Sequence, residues 1–147
     1  MKTVFFTISF VLLSLVSLMS CSSTKKATGS ATGNFSNSNK FALTEISTDA
    51  TYGYAASNPI NVGGIKESKG PSNQRRFLNA LAGPNGEEIS YSRIGSCCPF
   101  KSENGLMGGG LLDQYEIKWQ GQDKAVILFI NFYDHGPLKA PKGFTLR

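Results

Sequence analysis

Two adjacent thiols, Cys97 and Cys98, sit in the stretch RIGSCCPFKSENGLMGGGLLD at residues 93–113, and the single histidine, His135, follows in FYDHGP. Neighbouring thiols can form a redox device, half of a metal site, a nucleophile with a spectator, or core packing. A Cys-His nucleophile pair needs His135 beside one of the sulfurs, with Asp113 or Asp134 to orient the ring. Zinc needs four ligands, and Cys97, Cys98, His135 and one aspartate supply that number on paper. Usual ligand spacing leaves two or more residues between paired cysteines, so neither a metal nor a cofactor is expected. A disulfide normally spans Cα atoms about 4.4–6.8 Å apart, whereas neighbours across a trans peptide sit at about 3.8 Å. On a strand adjacent side chains face opposite ways, and Pro99 biases Cys98 toward extended geometry. Two structural forms therefore stay open: packed thiols, or a strained and more easily reduced vicinal bridge. A reactive thiolate needs a nearby cation or helix N-terminus. On a regular strand Arg93 shares the face of Cys97 but lies about 13 Å along it, so neither cysteine is expected to be a catalytic nucleophile.

Other residues invite weaker readings. The run GLMGGGLLD has no Lys-Ser/Thr after it and leads into a strand, so it is no phosphate-binding P-loop. Its glycines are expected to allow a tight loop or a close backbone approach. Arg75, Arg76 and Arg93 offer an anion site if the fold brings them together, and otherwise are solvated charge. Trp119, Tyr52, Tyr54 and Tyr133 are suited to stacking on a sugar and equally to packing.

These residues must be held by strands. In LLDQYEIKW, Leu111, Tyr115, Ile117 and Trp119 mostly alternate with Leu112, Gln114, Glu116 and Lys118, the period of a half-buried strand. QGQD marks a turn, and AVILFINFY (125–133) is a continuous β-branched and aromatic run, as in a strand covered on both faces. The two are expected to form an antiparallel hairpin at the centre of a sheet. EEISYSRIGS (87–96) reads as a third strand ending at the cysteines, and FALTEIS as an edge strand. GPSNQRRFLNALAGPNG is the one helical candidate, with Phe77, Leu78 and Leu81 on a face, Ser72 as cap and Gly83-Pro84 as stop. The expected fold is a small α+β domain, residues 41–147, built on an antiparallel sheet with one short helix.

The N-terminus reads as an export signal, with Lys2 ahead of a mostly apolar run from Val4 to Leu18. LMSC (residues 18–21) resembles the lipobox of bacterial lipoprotein signals. By that resemblance residues 1–20 are a signal peptide cleaved before Cys21, and Cys21 carries the lipid, its sulfur and amine both acylated. Two or more acyl chains hold a protein stably on a membrane without a transmembrane helix. SSTKKATGSATGNFSNSNK is too polar to offset its ordering entropy, so residues 21–40 read as a lipidated cysteine and flexible tether. Cleavage removes Lys2 and takes the formal charge from +5 to +4. That mild excess, spread over tether and tail, fits solubility or weak attraction to an anionic membrane and gives no sign of nucleic-acid binding. With no acidic residue just after Cys21, sorting rules for such lipoproteins imply the outer membrane, facing the periplasm.

YGYAASNPINVGG, RRFLNALAGPNGEEISYSRIGSCCPF, GLMGGGLLDQYEI and FYDHGPLKAPKGF, between Tyr52 and Phe144, are similar to segments of a family of small bacterial envelope lipoproteins of unknown function. The resemblance implies an envelope location and transfers no mechanism. Members are sometimes labelled 2-dehydro-3-deoxyphosphooctonate aldolase. That reaction needs two phosphate sites, and enzymes of that name use a (β/α)₈ barrel of typically about 250 residues, which one mostly-strand domain at 41–147 does not provide. The expectation is a membrane-anchored lipoprotein whose small domain binds an envelope protein or cell-wall component, or is structural. The alternative is an envelope thiol, redox or Cys-His enzyme using Cys97 or Cys98 with His135.

Overall fold

The two C-terminal apolar runs form the centre of the sheet. The computed structural model describes residues 39–147; the signal, Cys21 and nearly all of the expected tether lie outside them. Among the described residues the strands and the α-helix follow in the order β1 (Ile60–Asn61), α1 (Gly70–Leu78), β2 (Leu81–Ala82), β3 (Ile89–Lys101), β4 (Gly109–Trp119), β5 (Val126–Asn131) and β6 (Thr145–Leu146), with a short 3-10 turn at Leu106–Gly108 between β3 and β4. The four-stranded sheet has the order β1-β5-β4-β3, with β4 antiparallel to both neighbours and β1 parallel to β5. A second, two-stranded sheet pairs β2 with β6. The domain is α+β, mainly antiparallel, with one α-helix among the described residues.

The hairpin of β4 and β5 holds register from Ile117 opposite Val126 to Asp113 opposite Ile130. Its turn passes through Gly121 at φ 82°, a left-handed position that glycine occupies without a Cβ penalty. The core gathers Phe77 and Leu78 of α1, Leu81 of β2, Tyr115 and Ile117 of β4, Leu128 and Ile130 of β5, and Ile60 and Phe144. Burying each such side chain stabilises by roughly 1.5–3 kcal/mol before ordering entropy is subtracted.

Three elements depart from expectation. The helix stops at Leu78, and Leu81 leaves it for β2, paired with Leu146. The C-terminal tail offers a strand partner there, with Arg147 N–H donating to Ala80 O at 3.0 Å, and this tertiary pairing outweighs the helical period. Ser72 does not cap the start; Lys69 occupies that position with no side-chain cap bond, and Pro71 lies in the first turn, where a missing N–H costs nothing. FALTEIS forms no strand, only an isolated bridge between Ile46 and Ala140. Phe41 and Leu43 pack on the core instead, and the Arg76 guanidinium stacks 4.2 Å from the Phe41 ring centroid. β3 runs on through both cysteines and Pro99 to Lys101. It is an edge strand, where a proline without an N–H is tolerated. Ahead of Phe41, Asn39 O accepts from Asn79 and Lys40 Nζ donates to Arg147 O.

Candidate functional site

The period of β4 puts Asp113, Tyr115 and Ile117 on one face, and all three are buried. α1 packs over that face and sends Gln74, 1% exposed, into it. On β3, Tyr91 lies opposite Ile117 and Arg93 opposite Tyr115. Continued regularly, the ladder would set Gly95 against Asp113. A register shift between Arg93 and Gly95 makes Ile94 the extra residue, so Ser96 arrives opposite Asp113. This β-bulge turns Ser96 onto the face of Arg93 three residues away.

The result is a polar floor buried under an open cavity. Asp113 Oδ1 accepts from Arg93 Nη2 and from Ser96 Oγ, each at 2.8 Å. Its Oδ2 accepts from Gln74 Nε2 at 3.0 Å, and Gln74 Oε1 accepts from the Tyr115 hydroxyl at 3.0 Å. Burial pushes the Asp113 carboxyl up, but the hydrogen bonds from Arg93, Gln74 and Ser96 outweigh it and hold its pKa below the ordinary value. Burial raises the Tyr115 hydroxyl, and the Asp113 charge adds to that. Above the floor is a cavity of ≈ 440 Å³, walled by Pro71, Arg75, Tyr91 and Phe132. Tyr91 meets Tyr115 edge-to-face at 6.2 Å and donates its hydroxyl to Asn79.

Cys97 and Cys98 are bonded to one another as a vicinal disulfide, their Cα atoms 3.7 Å apart. Cys97 pairs with Leu112, so the bulge places it on the sheet face opposite Arg93, not on the shared face expected of a regular strand. A second register shift makes Cys98 a bulge residue at φ 56°, away from the extended geometry expected before a proline. His135 lies elsewhere, in an isolated bridge with Val62. Its ring rests against Gly63, where any Cβ would collide with it. It lines a groove of ≈ 290 Å³ that includes Asn61, Lys69 and Arg76. Asp134 does not orient the imidazole by a hydrogen bond; it accepts from Ser102, Asn104 and Asn131 at 2.7, 2.9 and 3.0 Å. Burial works upward on its pKa, and those bonds lower it overall. Asp113 belongs to the cavity and so sits apart from the His135 groove.

Of the three arginines, Arg75 and Arg93 share the cavity while Arg76 faces Phe41. The aromatic candidates are engaged in packing: Trp119 on Phe144, Tyr133 on Phe132 and Phe100, and the Tyr52 and Tyr54 hydroxyls on the carbonyls of Pro137 and Lys142. Gly110 of the glycine run lies directly against the Tyr133 and Phe100 rings. Among the described residues no three of His, Cys, Asp and Glu gather closely enough to hold a metal ion. Gln74, Ser96, Tyr91 and Tyr115 were not legible as a site from the sequence. The one signal was Asp113 at an inward position of β4, since a charge on a buried face requires partners. Compared with protein-family models, curated proteins and solved structures, the chain finds no match.

Proposed function

We propose that the protein is a lipid-anchored envelope protein whose domain captures a small ligand in the cavity between α1 and the β3–β4 face. The observation that carries this reading is the cavity itself: ≈ 440 Å³, aromatic walls, and a floor fixed by the buried Gln74–Asp113–Tyr115 network. A cavity of that size, mostly apolar with a few placed polar groups, is the usual form of a small-molecule site. Binding is favoured over catalysis at this floor because three donors hold Asp113 ionised with its pKa below the ordinary value, which makes it a weak proton acceptor at neutral pH. Membrane attachment through Cys21 rests on LMSC and the polar segment after it, which together would set reach and local concentration. The partner class consistent with an envelope location is a cell-wall or membrane-derived small molecule.

The vicinal disulfide at the edge of the sheet favours a second reading, in which Cys97 and Cys98 exchange electrons with an external dithiol. Native mass spectrometry separates the two. Full-length protein extracted from membranes in mild detergent is expected to retain a small molecule that Tyr91→Ala, lacking one cavity wall, does not. A retained mass unaffected by Tyr91→Ala would count against the cavity.

A further inference from the structure

We infer that the cavity takes a ligand bearing an oxyanion, a carboxylate or a phosphoryl group, on a body with an apolar face. This rests on the cavity being the binding site, as proposed above.

The hydrogen-bonding inventory of the lining supports it. Gln74 donates to Asp113 and accepts from Tyr115. Ser96 Oγ donates to Asp113 and accepts from Arg93 Nη2. Both Asp113 oxygens are occupied, and the Tyr91 hydroxyl is spent on Asn79. The carboxylate and amide acceptors of the floor thus already hold hydrogen bonds within the protein. What is left over is donor capacity on two guanidinium groups: the remaining N–H groups of Arg93, whose side chain is 48% exposed, and those of Arg75.

Charge gives the same answer. Arg93 balances Asp113, while Arg75 takes part in none of the salt bridges among the described residues. Arg75 lines the same cavity as Tyr91 and Tyr115. The lining therefore carries one uncompensated positive charge and spare donors, and it would repel a cation. Planar guanidinium forks match carboxylate and phosphoryl oxygens in pairs. The rings of Tyr91, Tyr115 and Phe132 with Pro71 supply the apolar wall for the rest of the ligand.

The test titrates full-length protein in detergent micelles with four probes of similar size: phenylacetate, phenyl phosphate, phenylacetamide and phenethylamine. Amide NMR shifts report the place of binding. Phenylacetate or phenyl phosphate is expected to bind at least about tenfold tighter than phenylacetamide, with phenethylamine weakest and shifts centred on Arg75, Tyr91 and Ser96. The tighter of the two anions identifies carboxylate or phosphoryl as the natural group. Arg75→Gln, which removes no hydrogen bond from the floor, should weaken the anion about tenfold while the unliganded melting temperature stays unchanged. Phenylacetamide binding as tightly as the anions, or Arg75→Gln binding like wild type, would overturn the oxyanion and leave the cavity as a binding site. Failure of all four probes to shift the cavity would overturn both.

Discussion

Asp113 shows how one residue can be visible in a sequence and still be misassigned. Its type marked it as chemistry-bearing, and the sequence offered it as an orienting group for His135. Its partners are set by a bulge and by a helix 39 residues upstream, neither of which leaves a local signature. Two predictions belong at this scale. Asp113→Ala should cost about 2–4 kcal/mol in chemical denaturation, because it leaves the Gln74 amide and Ser96 hydroxyl without their acceptor and Arg93 without its counter-charge. The second concerns pH. The Asp113 carboxyl is depressed in the folded state, so its contribution is complete above the unfolded value, about 3.9. It is lost as pH falls from there through the lower folded value. Asp134 is lowered too and acts in the same window, so the informative comparison is with Asp113→Asn. That variant should be less stable at pH 6 and close part of the gap to wild type as the solution is acidified below 4. A gap that stays constant with pH would mean Asp113 is not held ionised.

At the scale of elements, legibility followed periodicity. β4 and β5 announced themselves by alternation and by a continuous apolar run, and both lie where expected. β3 was read only as far as Ser96, because its two bulges break the period of two and its passage through Cys97, Cys98 and Pro99 looks like an ending. The helix was found, but Leu81 was assigned to it because Phe77, Leu78 and Leu81 also satisfy a helical face; only the distant β6 decides otherwise. Removing the bulge is therefore a direct test of what positions the site. Deleting Ile94, the extra residue, should restore a regular ladder that still sets Ser96 opposite Asp113, on the face of Arg93. A cavity ligand should then still bind in a titration; loss of binding would mean that the bulge itself shapes the site. The vicinal bridge closes the shortest of loops, so it constrains the unfolded chain little. The double variant Cys97→Ser with Cys98→Ser should lose only about 1 kcal/mol and keep the cavity intact. A loss of binding in that variant would tie the disulfide to the site.

The whole molecule joins a folded domain to a segment read from sequence alone. Within the described residues no helix is long and apolar enough to cross a membrane. The proposed membrane attachment is through lipid on Cys21. Cys21→Ser should release the protein from the membrane fraction or leave it with its signal uncleaved. A variant that fractionates normally and still carries lipid at its N-terminus would contradict the lipoprotein reading. Because Asn39, Lys40 and Phe41 already bond or stack on the domain, a chain starting at Asn39 should melt within a degree or two of the full mature protein. The central claim is that the protein binds through the cavity under α1, and amide chemical-shift mapping of the full-length protein against small fragments of mixed charge tests it most directly. The account predicts the largest shifts at Gln74 and Arg75 and from Tyr91 to Ser96. Largest shifts around His135 or around Cys97 and Cys98 would contradict it.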